Sequence, residues 1–470
     1  MTTDLTRASA ADLGRLYAKG KASPLETMKA VLKRVETVNP RLNALCHIDA
    51  EPALAMAKAS ERRWKKSKPL SPIDGVPVSI KELVRVKGWP ARMGSKLADA
   101  TLSEVDAPAV ARLREAGAIV FAQSTSSEYG HKAVTDSPLH GITRNPWDMA
   151  RTPGGSSGGA GAAVAAGLGP IAIGTDGGGS IRLPSSFTGL VGLKATFGRI
   201  AAWPPSLSGE LSNTGPMCRT ALDVALMMNV IARPDPLDGW SLPPDKVDYV
   251  KALKGKLRKP KVAFLLRMGD HPLDIEVAAL VTKAAKRFAK MGCIVEEVAP
   301  PTNYREAGRV FVVHWLTGLQ RLLQLYPENR HGEFDESLMA GAQNGLKFTL
   351  QDLINAQAAR REMTIAWTAF FTKYDMLLTP TLAVQPFAAG VNAPMGPDGK
   401  PNLLWSPYTF HFNLSRHPAI SVPCGRSRDG LPVGLQIAAG HYKDALVLRA
   451  AARYAEVDPL EFPVLPETVK

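Results

Sequence analysis

Three stretches of the sequence predict an α/β fold. Val76, Val78 and Ile80 alternate and lead to Lys81, which reads as a short strand ending on a lysine. Residues 106–116 read as a helix stopped by Gly117, and residues 118–122 follow as a buried strand. The same order of helix then strand returns at 160–166 and 171–173. Strands mixed with helices at this spacing mean α/β.

Composition narrows the class. The chain has 470 residues, 45% hydrophobic and 21% charged, which is ordinary globular material long enough for a large core. Its 57 basic and 43 acidic residues give a formal charge of +14, but the excess is spread out. No recognition motif or interleaving of aromatic and basic residues accompanies it, so no nucleic-acid partner is expected. Cys46, Cys218, Cys293 and Cys424 lie far apart with no CxxC pair. That argues against a zinc ribbon or a disulfide framework and fits a reducing, cytoplasmic compartment. Residues 1–5 lack a basic start followed by an apolar run, so no signal peptide is read. Apolar passages are broken well before ~18 residues, so no membrane span is expected.

The elements follow in order. Ser9 caps a helix that Lys19-Gly20 closes, and Ser23-Pro24 opens a second, with Glu26 completing a capping box. Its apolar face is Met28, Val31, Leu32 and Val35, and it is expected to end near Asn39-Pro40. A third helix spans about 52–65. After residues 160–173, a turn is expected at Gly174-Thr175-Asp176 and a helix at 221–231. Residues 233–257 are rich in Pro and Lys and read as a surface excursion. Strand 262–266, helix 273–291 and strand 294–298 form a β-α-β unit, expected as a smaller lobe at about 260–300. Residues 305–375 are mostly helical, and 376–380 is another buried strand. Residues 385–402 are loop, and 419–423 and 432–437 pair across a turn at Arg428-Asp429-Gly430. A final helix covers 443–454.

The candidate chemistry lies in residues 152–186, where two clusters of serine and glycine flank an apolar passage. Gly154-Gly155-Ser156-Ser157-Gly158 formally fits the G-x-S-x-G nucleophile elbow, but that motif needs a strand before it, and residues 145–153 are loop. No G-x-x-x-x-G-K-[ST] phosphate loop is present. Ser180 has better context. It follows a strand and Gly177-Gly178-Gly179, whose successive N–H groups can converge on a developing oxyanion. The same residues also suit a tight connection into the next helix. A serine needs a base, and Lys81 is a candidate if burial keeps it neutral, although a lysine at a strand end is commonly a surface residue.

At these residues the sequence resembles the amidase signature family over nearly its whole length. The matching stretches are Gly75-Val76-Pro77-Val78 leading to Lys81, Asn145-Pro146-Trp147-Asp148, Gly154 to Gly159, Gly174-Thr175-Asp176 to Pro184, Gly215-Pro216-Met217, and Gly430-Leu431-Pro432-Val433-Gly434-Leu435-Gln436. The intervals from Lys81 to Ser156 and from Ser156 to Ser180 are also typical of that family. The resemblance implies a single domain over 1–470, built on a large, twisted, mixed central β-sheet covered on both faces by helices. It implies a Ser–cis-Ser–Lys triad with Ser180 as nucleophile, Ser156 as bridging serine after a cis bond from Gly155, and Lys81 as base. Gly177, Gly178 and Gly179 would hold the oxyanion, and no metal or organic cofactor is needed. Asp176 and Arg182 match the family and are expected to brace the Ser180 loop. Glu82 stands where the family usually has Asp, and Ala160 where it often has Ser. Gly177 stands where many members carry a larger residue, which is expected to widen the oxyanion turn.

The implied reaction is hydrolysis of a small-molecule carboxylic amide through an acyl-enzyme. Few charges at 310–371 and 405–410 are expected to face a substrate, and the aromatics there suit a neutral aryl or alkyl amide, with esters or carbamates as extensions. The same rings also suit ordinary core. Two other readings stand beside this one. The first is the glutamine-hydrolysing component of a tRNA-dependent amidotransferase, against which Leu183 occupies a position where that group commonly has Gln. The second is a non-catalytic binding module. A homodimer is common among similar enzymes.

Overall fold

The computed structural model describes residues 4–396 and 398–457. The signal-peptide reading at residues 1–3 and the loop assignment at residue 397 lie outside them. Ser9 with Asp12 and Ser23 with Glu26 close two capping boxes, which start the helices Ala10–Ala18 and Pro24–Leu42. The second helix does not stop at Pro40. Val38 and Leu42 are buried and hold its last turn in place, and Asn43, at φ 52°, donates its N–H to the Asn39 carbonyl at 2.7 Å.

Thirteen strands form among the described residues. The first five are β1 (Leu45–Ile48), β2 (Pro77–Lys81), β3 (Ile119–Ser124) and the two-residue pair β4 (Asp136–Ser137) and β5 (Gly141–Ile142). Next come β6 (Ile171–Asp176), β7 (Val191–Lys194) and β8 (Asn213–Cys218). The last are β9 (Lys261–Phe264), β10 (Ile294–Glu297), β11 (Met376–Pro380), β12 (Ala419–Arg426) and β13 (Pro432–Ala439). Eleven of them make one mixed sheet in the order β1-β3-β2-β6-β8-β7-β12-β13-β11-β9-β10. The β-α-β unit at 260–300 joins this sheet at one edge, with β9 parallel to both β10 and β11.

Helices cover both faces, and side-chain alternation along each strand decides what meets them. On one face Val78, Ile80, Ile171, Ile173, Leu435 and Ile437 share a buried cluster with the helices Ala221–Ile231, Ile275–Lys290 and Asp444–Val457. On the other face Phe121 packs against Ala162 and Ala163 of the helix Gly158–Ala166. Further along that face Leu377 packs against Trp367 and Phe370 of the helix Leu350–Lys373. Because Val78 and Ile80 take the first face, Lys81 points to the second, where the helix Gly158–Ala166 begins.

Two expectations change. Gly174-Thr175-Asp176 is strand rather than turn, because β6 pairs with β8 as far as Asp176 opposite Asn213, so the turn starts at Gly177. β1, β7 and β8 are not read from sequence. β7 is four residues long, and β8 contains Gly215-Pro216, which normally signals a break. Pro216 is tolerated because β7 pairs with β8 only at Cys218 and Met217, beyond the proline.

Candidate active site

Lys81 ends β2 and is 0% exposed. Its Nζ donates to Ser156 Oγ at 2.7 Å, Ser157 Oγ at 2.9 Å and Thr175 Oγ1 at 2.9 Å. Burial lowers its pKa from the ordinary lysine value to about 7, against the opposing pull of the Asp176 and Glu82 carboxylates. Three hydroxyls around one amine serve both of its protonation states. An ammonium donates to all three, whereas a neutral amine has two N–H groups and one lone pair, so one hydroxyl must donate back. Ser157 cannot be that one, because its O–H is engaged by the Thr175 carbonyl at 3.1 Å. Ser156 has Lys81 as its hydrogen-bond partner and is free to turn its proton toward the lone pair.

Depressed basicity alone does not single out Lys81. Lys194 is equally buried, and burial followed by the nearby Arg182 lowers it to about 7 as well. Its Nζ donates to the Ala195 carbonyl at 3.0 Å and has no hydrogen bond to a serine among the described residues. Geometry separates the two lysines.

The Gly155–Ser156 peptide bond is cis, as the resemblance implies. A Cβ at Gly155 would run into the Val134 backbone, so only glycine fits there. The Ser157 N–H donates to the Ser180 carbonyl at 3.3 Å, which ties the first cluster to the second. Ser156 is 2% exposed and Ser180 is 9% exposed, so Ser180 is the more open of the two. The structure therefore brings Lys81 and Ser156 into direct contact. It sets Ser180 on the adjacent turn, with no hydrogen bond between the two serine hydroxyls among the described residues. Such bonds are often long in unliganded sites and tighten around substrate.

The turn from Gly177 to Ser180 is held from below. Arg182 Nε and Nη2 donate to Asp176 Oδ2 and Oδ1, both at 2.9 Å, and both residues are fully buried. Arg182 also donates to the Thr409 carbonyl, Gln436 Oε1 and Asn413 Oδ1, so all its donors are used. Burial alone would raise Asp176, but the Arg182 guanidinium and Asn413 lower it to about 2. The pair braces the turn as expected, and Asp176 Oδ2 also accepts the Ile181 N–H at 3.3 Å. Thr409 Oγ1 donates to the Gly178 carbonyl at 2.7 Å. No N–H of Gly177, Gly178, Gly179 or Ser180 donates to another protein group among the described residues, which leaves them available to an incoming oxygen.

Sequence reasoning misses Ser157 and Thr175. Ser157 is adjacent to Ser156 in the same cluster, and Thr175 becomes visible only once β6 is extended. A cavity of about 200 Å³ reaches Thr175 and is lined by Leu83, Met93, Tyr129, Trp203 and Leu207. Glu82 also has a place. Its oxygens accept the Gly94 and Ser126 N–H groups, the Ser126 hydroxyl and His140 Nε2, which draws three loops toward the end of β2. The ligand atoms of Cys46, Glu82 and His140 lie within 4.8 Å of one another. The Glu82 oxygens are already saturated by these protein donors, so the cluster fits a bracing role better than a metal.

This architecture, with a buried lysine set against a glycine-bound serine pair, defines a hydrolase of amide C–N bonds. The chain belongs to the amidase signature family: the model of the Amidase family matches residues 26–448. An acylamidase of Rhodococcus erythropolis is 38% identical over 458 residues, covering 96% of this chain and 95% of the relative. A glutamyl-tRNA(Gln) amidotransferase chain of Salinispora tropica, the A component of that enzyme, is 34% identical and covers 98% of this chain and 100% of its own. Among solved structures, a bacterial aryl acylamidase of the amidase signature family superposes with a TM-score of 0.90 at 31% identity, covering 97% of each chain. No helix among the described residues is long and apolar enough to cross a membrane.

Proposed function

We propose that the chain hydrolyses neutral aryl or alkyl carboxylic amides through an acyl-enzyme on Ser180, with Ser156 as relay and Lys81 as base. The observation that carries this reading is the 2.7 Å contact between a fully buried Lys81 and Ser156. With a pKa of about 7, roughly half of Lys81 is neutral at pH 7, against about one in several thousand at the ordinary value. Neutral Lys81 accepts the Ser156 proton as Ser156 accepts the Ser180 proton, and Ser180 Oγ attacks the amide carbon. The carbonyl oxygen becomes an oxyanion facing the free N–H groups between Gly177 and Ser180; one such donor is worth about 3–4 kcal/mol in the transition state. Ser156 hands a proton to the leaving nitrogen and regains one from Lys81, because an amide nitrogen cannot depart as an anion. Water then attacks the acyl-enzyme, loses its proton along the same relay and frees Ser180.

The chain works in this reading as one amidase domain over 1–470, in a cytoplasmic setting, with residues 305–375 as its substrate-selecting helical region. A role within an amidotransferase is the weaker reading. Leu183 is buried among Phe187, Leu382 and Trp405, and its side chain reaches over Gly179, so a polar glutamine contact is missing there.

The test is hydrolysis of a panel of primary amides, anilides and carbamates, with fluorophosphonate labelling of the wild type and of Ser180→Ala. Turnover and labelling that both vanish in Ser180→Ala support the assignment. Turnover of glutamine alone, and only with co-purified partner chains, overturns it in favour of the amidotransferase.

A further inference from the structure

We infer that Trp315 and Gly177 are a matched pair that sets substrate specificity: the glycine leaves room for an indole wall beside the oxyanion turn, and that wall selects amides bearing a flat ring. The inference rests on the reading of residues 177–180 given above.

Of the three glycines before Ser180, only Gly179 needs to be glycine for its backbone, with φ at 138°. Gly177 and Gly178 lie outside the left-handed region, so neither requires glycine on conformational grounds. What excludes a side chain there is aromatic rings. A Cβ on Gly177 would lie 2.8 Å from Trp315 Cζ3 and 3.2 Å from Ser208 Oγ. A Cβ on Gly178 would lie 2.6 Å from Phe311 Cζ. The space that a side chain at Gly177 would take is filled by Trp315.

The wall is fixed in place. Trp315 and Phe311 share the helix Tyr304–Leu319 and stack with centroids 5.4 Å apart at 22°. Phe410 stacks on Phe311 at 5.3 Å and 27°. The indole N–H donates to the His131 carbonyl at 3.1 Å, which sets the ring's orientation. Gly318, one turn on, lets the helix press against the Leu207 backbone, beside Ser208. Both Trp315 and Phe311 are only half-buried, and both rings lie directly against the Gly177-Gly178 turn. Rings presented this way stack on a planar group and gain little from a flexible chain.

The test measures kcat/KM for acetanilide, benzamide and hexanamide in Trp315→Ala, Trp315→Phe, Gly177→Thr and the Gly177→Thr/Trp315→Ala double variant. Fluorophosphonate labelling of Ser180 is followed in each. Trp315→Ala is expected to lower the ratio of ring-bearing amide to hexanamide about tenfold, through KM, and Trp315→Phe to keep most of that ratio. Gly177→Thr is expected to cut turnover of all three at least tenfold, and the double variant to recover hexanamide turnover without the preference for rings. Whether acetanilide or benzamide carries the preference tells whether the amine or the acyl side meets the wall. An unchanged ratio in both Trp315 variants overturns the inference, as does a fully active Gly177→Thr or a double variant no better than Gly177→Thr alone. Labelling that persists in Ser180→Ala would sink the nucleophile assignment instead, independently of the ratios.

Discussion

Replacing Lys81 with methionine separates its cost to the fold from its use in chemistry. Holding the amine at about 7 rather than its ordinary value corresponds to about 4–5 kcal/mol against the charged form. Because the folded chain holds Lys81 below its unfolded value, the unfolded chain binds more protons between about pH 7 and 10. The cost is therefore full below about pH 7 and fades as pH rises toward 10. Methionine has a similar length and removes this cost. It also strips Ser156 and Thr175 of a hydrogen-bond partner, at roughly 1–3 kcal/mol each. The two effects nearly cancel, so the melting temperature of Lys81→Met at pH 7 should stay within a few degrees of wild type. Activity has no such compensation, and kcat/KM should fall about 100- to 10,000-fold with loss of the base. In the wild type kcat/KM should rise with pH through about 7 and then level off, whereas the residual rate of Lys81→Met should lack that step. Initial rates on one anilide across pH 5 to 9, with thermal melts of both proteins, decide the matter. A Lys81→Met enzyme that folds and keeps more than a tenth of wild-type turnover refutes the base assignment.

Three further outcomes are expected. Ser180→Ala should lose both turnover and fluorophosphonate labelling while melting like wild type, because the hydroxyl it removes has no hydrogen-bond partner among the described residues. Asp176→Asn should cost about 3–5 kcal/mol in urea unfolding, since it leaves Arg182 buried without its counter-charge; a loss under 1 kcal/mol would show that the pair does not brace the turn. Thr175→Val removes an acceptor that favours charged Lys81, so the midpoint of the kcat/KM profile should move acidward by roughly 0.5–1 unit, from ~1 kcal/mol per hydrogen bond. A midpoint that moves alkaline would mean that Thr175 instead supports the neutral amine.

Local signals carried well where a local cause sufficed. Ser9, Ser23 and their acidic partners start their helices as expected, because a capping box closes within four residues. The pairing of β12 with β13 also follows from alternation and a turn. Signals failed where neighbours overruled them. Pro40 reads as a helix end, yet it sits in a helix docked by Leu42, and Pro216 lies in a strand, unread in the sequence, whose second partner ends beyond it. Thr175 reads as turn in the sequence because its strand pairing lies with residue 214, far along the chain.

By itself the sequence determined the alternation that sends Val78 and Ile80 to one face and Lys81 to the other, and the dense glycine that lets backbone approach backbone at Ser156 and Ser180. It also carried the motifs that match the amidase signature family. Only the tertiary structure brought Ser157 and Thr175 to Lys81 beside Ser156, since that depends on the helix Gly158–Ala166 packing over β2. The burial that lowers the basicity of Lys81 likewise comes from distant segments. The close approach of Trp315 to Gly177 also comes from the fold, where the sequence reads a wider turn. Hydrogen bonds, desolvation and ring contacts act over a few ångströms, and the groups that supply them here are brought together from remote parts of the chain.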